Sequence, residues 1–142
     1  MKHFLIITLT LFFCLAVYAV NNDDKFLNAL KNCSAYQESG TVNVQGISAK
    51  SSKKISGWTG DKCTYNENIN FNEVNTNITC KFSRKQIDEI ATVTDAYFTT
   101  LKYSNTKPDT SSLKAVENNP VINVFNKYLQ DPSVCSISGI DK

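Results

Sequence analysis

Glu67 is the acidic residue whose sequence position best suits it to chemistry. Between residues 62 and 82, apolar and polar residues alternate with a period of two, and Glu67 falls in the apolar register between Tyr65 and Ile69. The pattern predicts an inward-facing carboxyl, and burial would raise its pKa, as the role of a general acid requires. The competing interpretation, which we favour, is a glutamate near the open edge of a sheet that is exposed or paired with a lysine.

Histidine chemistry is excluded once the N-terminus is removed. The chain has one histidine, His3, and it lies in the stretch that we interpret below as a signal peptide. Without it, the protein has no Ser-His or Cys-His nucleophile pair, no histidine general base and no histidine metal ligand. The sequence also has neither the glycine-rich phosphate-binding motifs nor the G-x-S-x-G motif of hydrolases. We therefore expect a protein that is not an enzyme and that binds neither a cofactor nor a metal.

Four cysteines remain after the signal peptide, namely Cys33, Cys63, Cys80 and Cys135. An even number in a small exported domain predicts two disulfides. A zinc site is the alternative, but the spacings contain no C-x2-4-C pair of the kind that zinc knuckles use.

The register of the hairpin limits how these cysteines can pair. With a two-residue turn at 72–73, Cys63 and Cys80 each face an aromatic residue of the other arm. They are then diagonal neighbours at ~7–8 Å, beyond the ~4.4–6.8 Å that a disulfide usually spans. We prefer Cys33–Cys63 with Cys80–Cys135, and the pairing Cys33–Cys80 with Cys63–Cys135 stays open.

The other side of the same hairpin presents a row of amides. Asn66, Asn68, Asn70 and Asn77 fall in the outward register, and Trp58 precedes the hairpin as a nearby aromatic residue. An amide row beside an aromatic side chain can bind sugars or extended peptides, so these five residues form a possible ligand-binding face. The competing interpretation is a solvated sheet surface with Trp58 packed under a loop. Asn77 also begins an N-x-T glycosylation sequon.

The charge of the chain is nearly balanced. Lys50, Lys53 and Lys54 predict a basic polar turn, but the net charge is only +2, or about +1 once Lys2 is removed. This balance disfavours nucleic acid as a partner. We expect a monomer whose partner, if it has one, is a protein, a peptide or a glycan.

The N-terminus has the features of a secretory signal peptide. A short basic start precedes an apolar run over residues 4–17, and Val17 and Ala19 place small residues at the −3 and −1 positions of a cleavage site. A retained membrane anchor is the alternative, but ~14 residues fall short of the ~20 that span a bilayer. We predict a signal peptide over residues 1–19 and a single domain over residues 20–142 that is secreted or periplasmic.

Sequence periodicity predicts the elements that position these side chains. An amphipathic helix ends near Asn32, and helices follow from a Ser83/Gln86 capping box to about Tyr103 and from Asn119-Pro120 to about Gln130. Between the first and second of these helices we expect strands at 41–47 and 54–58, separated by a polar turn at 49–53, and then the hairpin at 62–82. The expected fold class is α+β, with a short N-terminal helix, a four-stranded antiparallel meander sheet and two C-terminal helices packed on one face.

Four short motifs resemble those of small exported bacterial domains of unknown function: Cys33-x-x-Tyr36, Ile55-x-Gly57-Trp58, Cys63-x-Tyr65 and Cys80-Lys81-Phe82. The resemblance implies a periplasmic or secreted protein and assigns no catalytic residue. The order of one helix and then four strands is also similar to cystatin-like architecture. Because the Q-x-V-x-G loop of that architecture is missing, protease inhibition does not carry over.

These features together predict a small exported domain that is a non-enzymatic binding or envelope-associated protein. The alternatives are a secreted effector or toxin-like protein and a carboxylate-dependent enzyme centred on Glu67.

Overall fold

A computed structural model describes residues 25–44, 47–71, 74–106 and 118–139 of the 142-residue chain. The predicted signal peptide at 1–19, the hairpin turn at 72–73 and the loop around Pro108 lie outside these residues. The side chains of 42–44 and of Ile47 are not described either.

The described residues form an α+β fold, which confirms the expected class. Its sheet is antiparallel and has five strands in the order β1-β2-β3-β4-β5 rather than the predicted four. The strands are β1 (Tyr36–Val44), β2 (Ile47–Thr59), β3 (Lys62–Phe71), β4 (Val74–Ser83) and β5 (Cys135–Ser138). The additional strand, β5, pairs Cys135 with Cys80 and has only four residues. So short a segment shows too few alternations for its periodicity to predict a strand.

The first two strands are longer than predicted, and the polar turn placed at 49–53 is wrong. These residues lie inside β2, where Ala49 and Lys53 are buried and Lys50 and Lys54 are exposed. The segment looks like a loop in the sequence because Ala49 is its only apolar residue. Strand β1 also begins earlier than predicted and includes Gly40, which pairs with Ser51 of β2.

The central hairpin has the predicted register. Phe71 pairs with Val74, Tyr65 pairs with Cys80, and Cys63 pairs with Phe82. Strand β3 alternates along its length between buried residues and partly exposed ones. The alternation divides the sheet into an inner face, which the helices cover, and an outer face on the opposite side.

Three helices pack on the inner face: α1 (Lys25–Asn32), α2 (Arg84–Ser104) and α3 (Pro120–Leu129). The predicted capping box opens α2, since Ser83 N–H donates to Gln86 Oε1 at 2.8 Å and Ser83 Oγ accepts from the Gln86 N–H. Asn119 caps α3, with its Oδ1 accepting from the Val121 N–H at 2.8 Å. The predicted ends of all three helices agree with the structure to within two residues.

Aromatic contacts join the helices to the sheet. Phe26 of α1 packs against Tyr65 of β3 with ring centroids 5.8 Å apart, and Phe82 of β4 meets Phe125 of α3 edge-on at 6.4 Å. All four rings are almost completely buried. The core therefore lies between the inner face of the sheet and the three helices.

Two disulfides are present, and they have the pairing that we prefer from the sequence. Cys33–Cys63 links the end of α1 to β3 with a Cα–Cα distance of 5.9 Å, and Cys80–Cys135 links β4 to β5 at 4.1 Å. They close loops of 30 and 55 residues. If a disulfide acts only by reducing the entropy of the unfolded chain, each bridge adds about 4 kcal/mol to the free energy of unfolding. The two bridges indicate an oxidising, extracellular environment.

None of the helices within the described ranges is long and apolar enough to cross a membrane.

Candidate functional site

Three charged residues form a row across the inner face. Pairing between β1 and β2 puts Glu38 opposite Lys53, and pairing between β2 and β3 puts Lys53 opposite Glu67. Directly opposite residues in an antiparallel sheet have Cβ atoms ~4.5–5.5 Å apart. The row therefore alternates acid, base and acid from the edge of the sheet inward, and we call it the inner charge row.

Glu67 is the innermost member of the inner charge row and is 2% exposed. The Tyr65 hydroxyl donates to its Oε2 at 2.7 Å, and the Ser51 hydroxyl donates to its Oε1 at 3.0 Å. Burial raises the pKa of the Glu67 carboxyl above its ordinary value of 4.5, although the charge of Lys53 and the two hydrogen bonds oppose the shift. The inward orientation and the raised pKa agree with the prediction from the sequence. Of the competing interpretation, exposure of Glu67 is wrong, whereas its proximity to a lysine is confirmed, since Lys53 lies opposite it.

Lys53 lies in the middle of the row with its side chain 4% exposed. Its Nζ is 3.9 Å from Glu38 Oε1 and 4.7 Å from the centre of the Phe26 ring. The edge residue Glu38 is more open, with 39% of its side chain exposed, and it accepts a hydrogen bond from the Tyr36 hydroxyl at 3.1 Å. The cation is thus held between two carboxylates and under an aromatic ring of α1.

The geometry of the row is suited to structural support rather than catalysis. Both carboxylate oxygens of Glu67 are engaged by hydroxyl donors, and the residue is closed to solvent. Burial, together with the adjacent Glu67 carboxylate, also raises the pKa of Tyr65 well above its ordinary 10.0, so its hydroxyl keeps its proton. A general acid must reach the atom that it protonates. In this arrangement the Glu67 side chain is closed off from solvent.

Two members of this cluster, Lys53 and Ser51, were not predicted, because both fall in the segment expected to be a turn. The sequence nevertheless indicates which face of β2 these two residues occupy. Both are an even number of residues before the apolar Ile55, so extending the alternation of β2 backwards from Ile55 places them on the inner face.

The outer face brings together the asparagines that the sequence predicts as a ligand-binding face. Asn68 Nδ2 donates to Asn75 Oδ1 and to Asn77 Oδ1, each at 2.7 Å. The Thr79 hydroxyl donates to Asn66 Oδ1 at 3.0 Å. Asn70 lies beside them on β3 and is exposed. These hydrogen bonds orient the amides, and the remaining donors and acceptors face solvent.

Trp58 does not belong to this face. The register of β2 shifts between Ile55 and Gly57, where Gly57 adopts a φ of +93° that suits a glycine at a β-bulge. The extra residue returns Trp58 to the inner register opposite Cys63. There it packs at the margin of the core, with the Arg84 guanidinium 4.3 Å from the centre of its ring. The predicted aromatic platform is therefore separated from the asparagines by the sheet.

Lysines also lie on the outer face, among the amides and hydroxyls. Lys50 and Lys54 of β2 are exposed in this register, as is Lys81 of β4, and Lys62 of β3 is partly exposed. A shallow open depression of about 370 Å³ lies at the β1–β3 side of the sheet and is lined by Ser39, Gly40, Thr41, Lys50, Ser51, Ser52 and Asn68. Its size is within the range of small-ligand sites.

Comparison of the chain with protein-family models, with curated proteins and with solved structures found no match. The resemblance to small exported bacterial domains therefore stays a prediction. Within the residues that the structure describes, no group of three histidine, cysteine or acidic side chains could hold a metal ion.

Proposed function

We propose that this protein is an exported, non-enzymatic binding domain whose ligand contacts the outer face of the sheet. The observation that carries the proposal is that no described residue covers the outer face, whereas three helices fill the inner one. Asn70, Asn77 and Lys54 on this face are exposed. The two disulfides support a place outside the reducing cytosol.

The closed geometry of Glu67 supports the non-enzymatic part of the proposal. A carboxylate-dependent enzyme would need this residue to line an open site, and it is 2% exposed. An effector or toxin-like role is compatible with the same surface, but no observation favours it over simple binding.

The experiment compares two substitutions of exposed asparagines, one on each side of the molecule. Asn77→Tyr places a ring in the middle of the outer face, and Asn123→Tyr places the same ring on α3, on the opposite side of the sheet. Each purified protein is passed over immobilised polysaccharide and protein fractions from the medium and surface of the producing cells. A host that forms disulfides without attaching N-glycans keeps Asn77 unmodified.

We expect at least one fraction to retain the unmodified protein and the Asn123→Tyr variant but not the Asn77→Tyr variant. Equal retention of both variants would place the binding surface elsewhere. If no fraction retains the unmodified protein, the binding function itself is wrong. Equal melting temperatures would establish that neither ring disturbs the fold.

A further inference from the structure

The described part of the outer face is cationic, although the whole chain is nearly neutral. Its ionisable side chains are Lys50, Lys54, Lys62 and Lys81, and none of the described residues in the outward register is acidic. Charges elsewhere are of both signs: α2 presents Asp88 and Asp95 together with Lys85 and Lys102, and Asp61 is exposed in the β2–β3 turn. The described residues of the outer face therefore form a surface with positive charges only, which the net charge of +2 for the whole chain does not reveal.

The spacing of these lysines suits a ligand with repeated charges. Lys50 and Lys54 are four residues apart on β2, which corresponds to ~13 Å along a strand. Lys54 and Lys81 lie on β2 and β4, two strands apart, and Lys81 is two residues along β4 from Thr79, which is in line with Lys54 across the sheet. Their Cα atoms are therefore ~12 Å apart. A single small anion cannot contact all three ammonium groups at these separations. A polymer with regularly spaced anionic groups can.

The groups between the lysines favour a polysaccharide over other polyanions. Asn66, Asn68 and Ser52 offer amides and hydroxyls that can donate to and accept from sugar hydroxyls. Binding of single-stranded nucleic acid relies on aromatic side chains that stack on bases, and none of the described outward-facing residues is aromatic. The shallow depression at Lys50 and Asn68 is open enough to admit part of a chain rather than enclose a small molecule.

We propose that the outer face binds an anionic polysaccharide, with Lys50, Lys54 and Lys81 contacting its carboxylate or sulfate groups and the asparagine row contacting its hydroxyls. This inference rests on the proposed function and adds the chemical class of the ligand. The ligand lies across β2, β3 and β4, so it makes no use of Trp58 or of the inner charge row.

The test measures binding of the full mature protein, with both disulfides intact and no N-glycan, to five probes. Heparin supplies sulfate groups, hyaluronan supplies carboxylates, and dextran is the neutral control. Oligo-dT and vesicles containing phosphatidylserine represent the two other polyanionic partners. Lys54→Glu/Lys81→Glu reverses two charges on the outer face. Lys85→Glu/Lys102→Glu makes the same change in net charge on exposed positions of α2.

We expect heparin or hyaluronan to bind, dextran not to bind, and added salt to weaken the complex by screening. The outer-face double variant should bind about tenfold or more weakly, which is the loss of about one strong charge contact, and the α2 variant less than about twofold. Binding of hyaluronan as tight as that of heparin would show that carboxylates suffice, whereas tighter binding of heparin would show that sulfate groups or a higher charge density strengthen the complex.

Three results would overturn the inference. Equal weakening by both double variants would mean that only net charge matters. Tighter binding of oligo-dT or vesicles than of either polysaccharide would assign a different class of partner. If neither polysaccharide binds, but a cell fraction still retains the unmodified protein and not the Asn77→Tyr variant, the ligand class is rejected and the proposed binding function stands.

Discussion

The inner and outer faces of the sheet are built from the same strands but satisfy their polar side chains in different ways. On the inner face, Glu67 receives hydrogen bonds from Tyr65 and Ser51 and lies opposite Lys53, in a region closed to solvent. On the outer face, Asn68 bonds to neighbouring asparagines that remain exposed. Buried polar groups depend on these specific partners, whereas exposed ones can exchange them for water.

This difference explains why we propose the outer face, rather than the inner charge row with its unusual chemistry, as the functional surface. The inner charge row has a carboxyl with a raised pKa, a feature often found at catalytic sites. Structural ion-pair networks also perturb pKa values, however, and this row is closed by α1. The outer face has ordinary amides and lysines, but they are accessible to a partner. Because a partner can reach only the outer face, we favour that face as the candidate functional surface.

The largest expected difference between the faces is at two adjacent lysines. Lys53→Met keeps an unbranched aliphatic side chain but removes the ammonium group near Phe26 and leaves the buried Glu67 carboxyl without its cation. We expect a loss of about 3 kcal/mol in the free energy of unfolding, as when a buried ion pair loses one partner. Lys54→Met, one residue further along on the outer face, should change it by less than about 0.5 kcal/mol. Urea denaturation with the disulfides intact measures both.

A double variant sharpens this comparison. Lys53→Met combined with Glu67→Gln removes both opposing charges and should recover part of the loss, because no carboxylate is then left unpaired. Equal losses from Lys53→Met and Lys54→Met would show that the inner charge row does not support the fold.

The next effect concerns two adjacent serines. Ser51 donates a hydrogen bond to the buried Glu67 carboxylate at 3.0 Å, whereas Ser52 bonds to Ser39 at the surface at 3.1 Å. Ser51→Ala should therefore lower the free energy of unfolding by about 1–3 kcal/mol, and Ser52→Ala by no more than about 0.5 kcal/mol. The midpoints of urea denaturation would report both changes. A larger loss from Ser52→Ala would reverse the assignment of the faces.

The parts of the fold that could be predicted from sequence are those with a long apolar alternation. Strands β3 and β4 alternate over most of their length, so their register, the orientation of Glu67 and the preferred cysteine pairing all followed. The helix ends at Ser83 and Asn119 were also predictable, because capping depends on residues close in sequence.

The rest depends on contacts that sequence periodicity does not contain. The alternation of β2 extends to Lys53, but the carboxylates that compensate a buried lysine, Glu38 and Glu67, lie on the strands at either side, and only the folded sheet brings them together. Trp58 changes face because of a bulge at Gly57, which a simple alternation cannot anticipate. The same limit applies to the outer face, where the asparagines were predictable as a row but the distribution of lysines around them was not.

The smallest expected effect is a dependence of stability on pH that has opposite signs at a buried and a surface glutamate. Burial raises the pKa of Glu67 in the folded protein above its ordinary 4.5, with Glu38 adding to the shift and Lys53 opposing it. The folded state then binds the proton more tightly than the unfolded chain, so the stabilisation due to Glu67 is greatest at low pH and falls as the pH rises above 4.5. Hydrogen bonds from Lys127 and Tyr128 instead lower the pKa of Glu89 on α2, so its contribution is present above 4.5 and is lost as the pH falls below that value.

Comparison of each glutamine variant with the unmodified protein isolates these two contributions. Relative to Glu67→Gln, the unmodified protein should lose stability as the pH is raised from 4.5 towards neutrality. Relative to Glu89→Gln, it should lose stability only as the pH is lowered below 4.5. Urea denaturation at a series of pH values gives both differences. Profiles of the same sign would mean that Glu67 is hydrated like a surface residue, and the contrast between the closed inner face and the open outer face would then fail at its central residue.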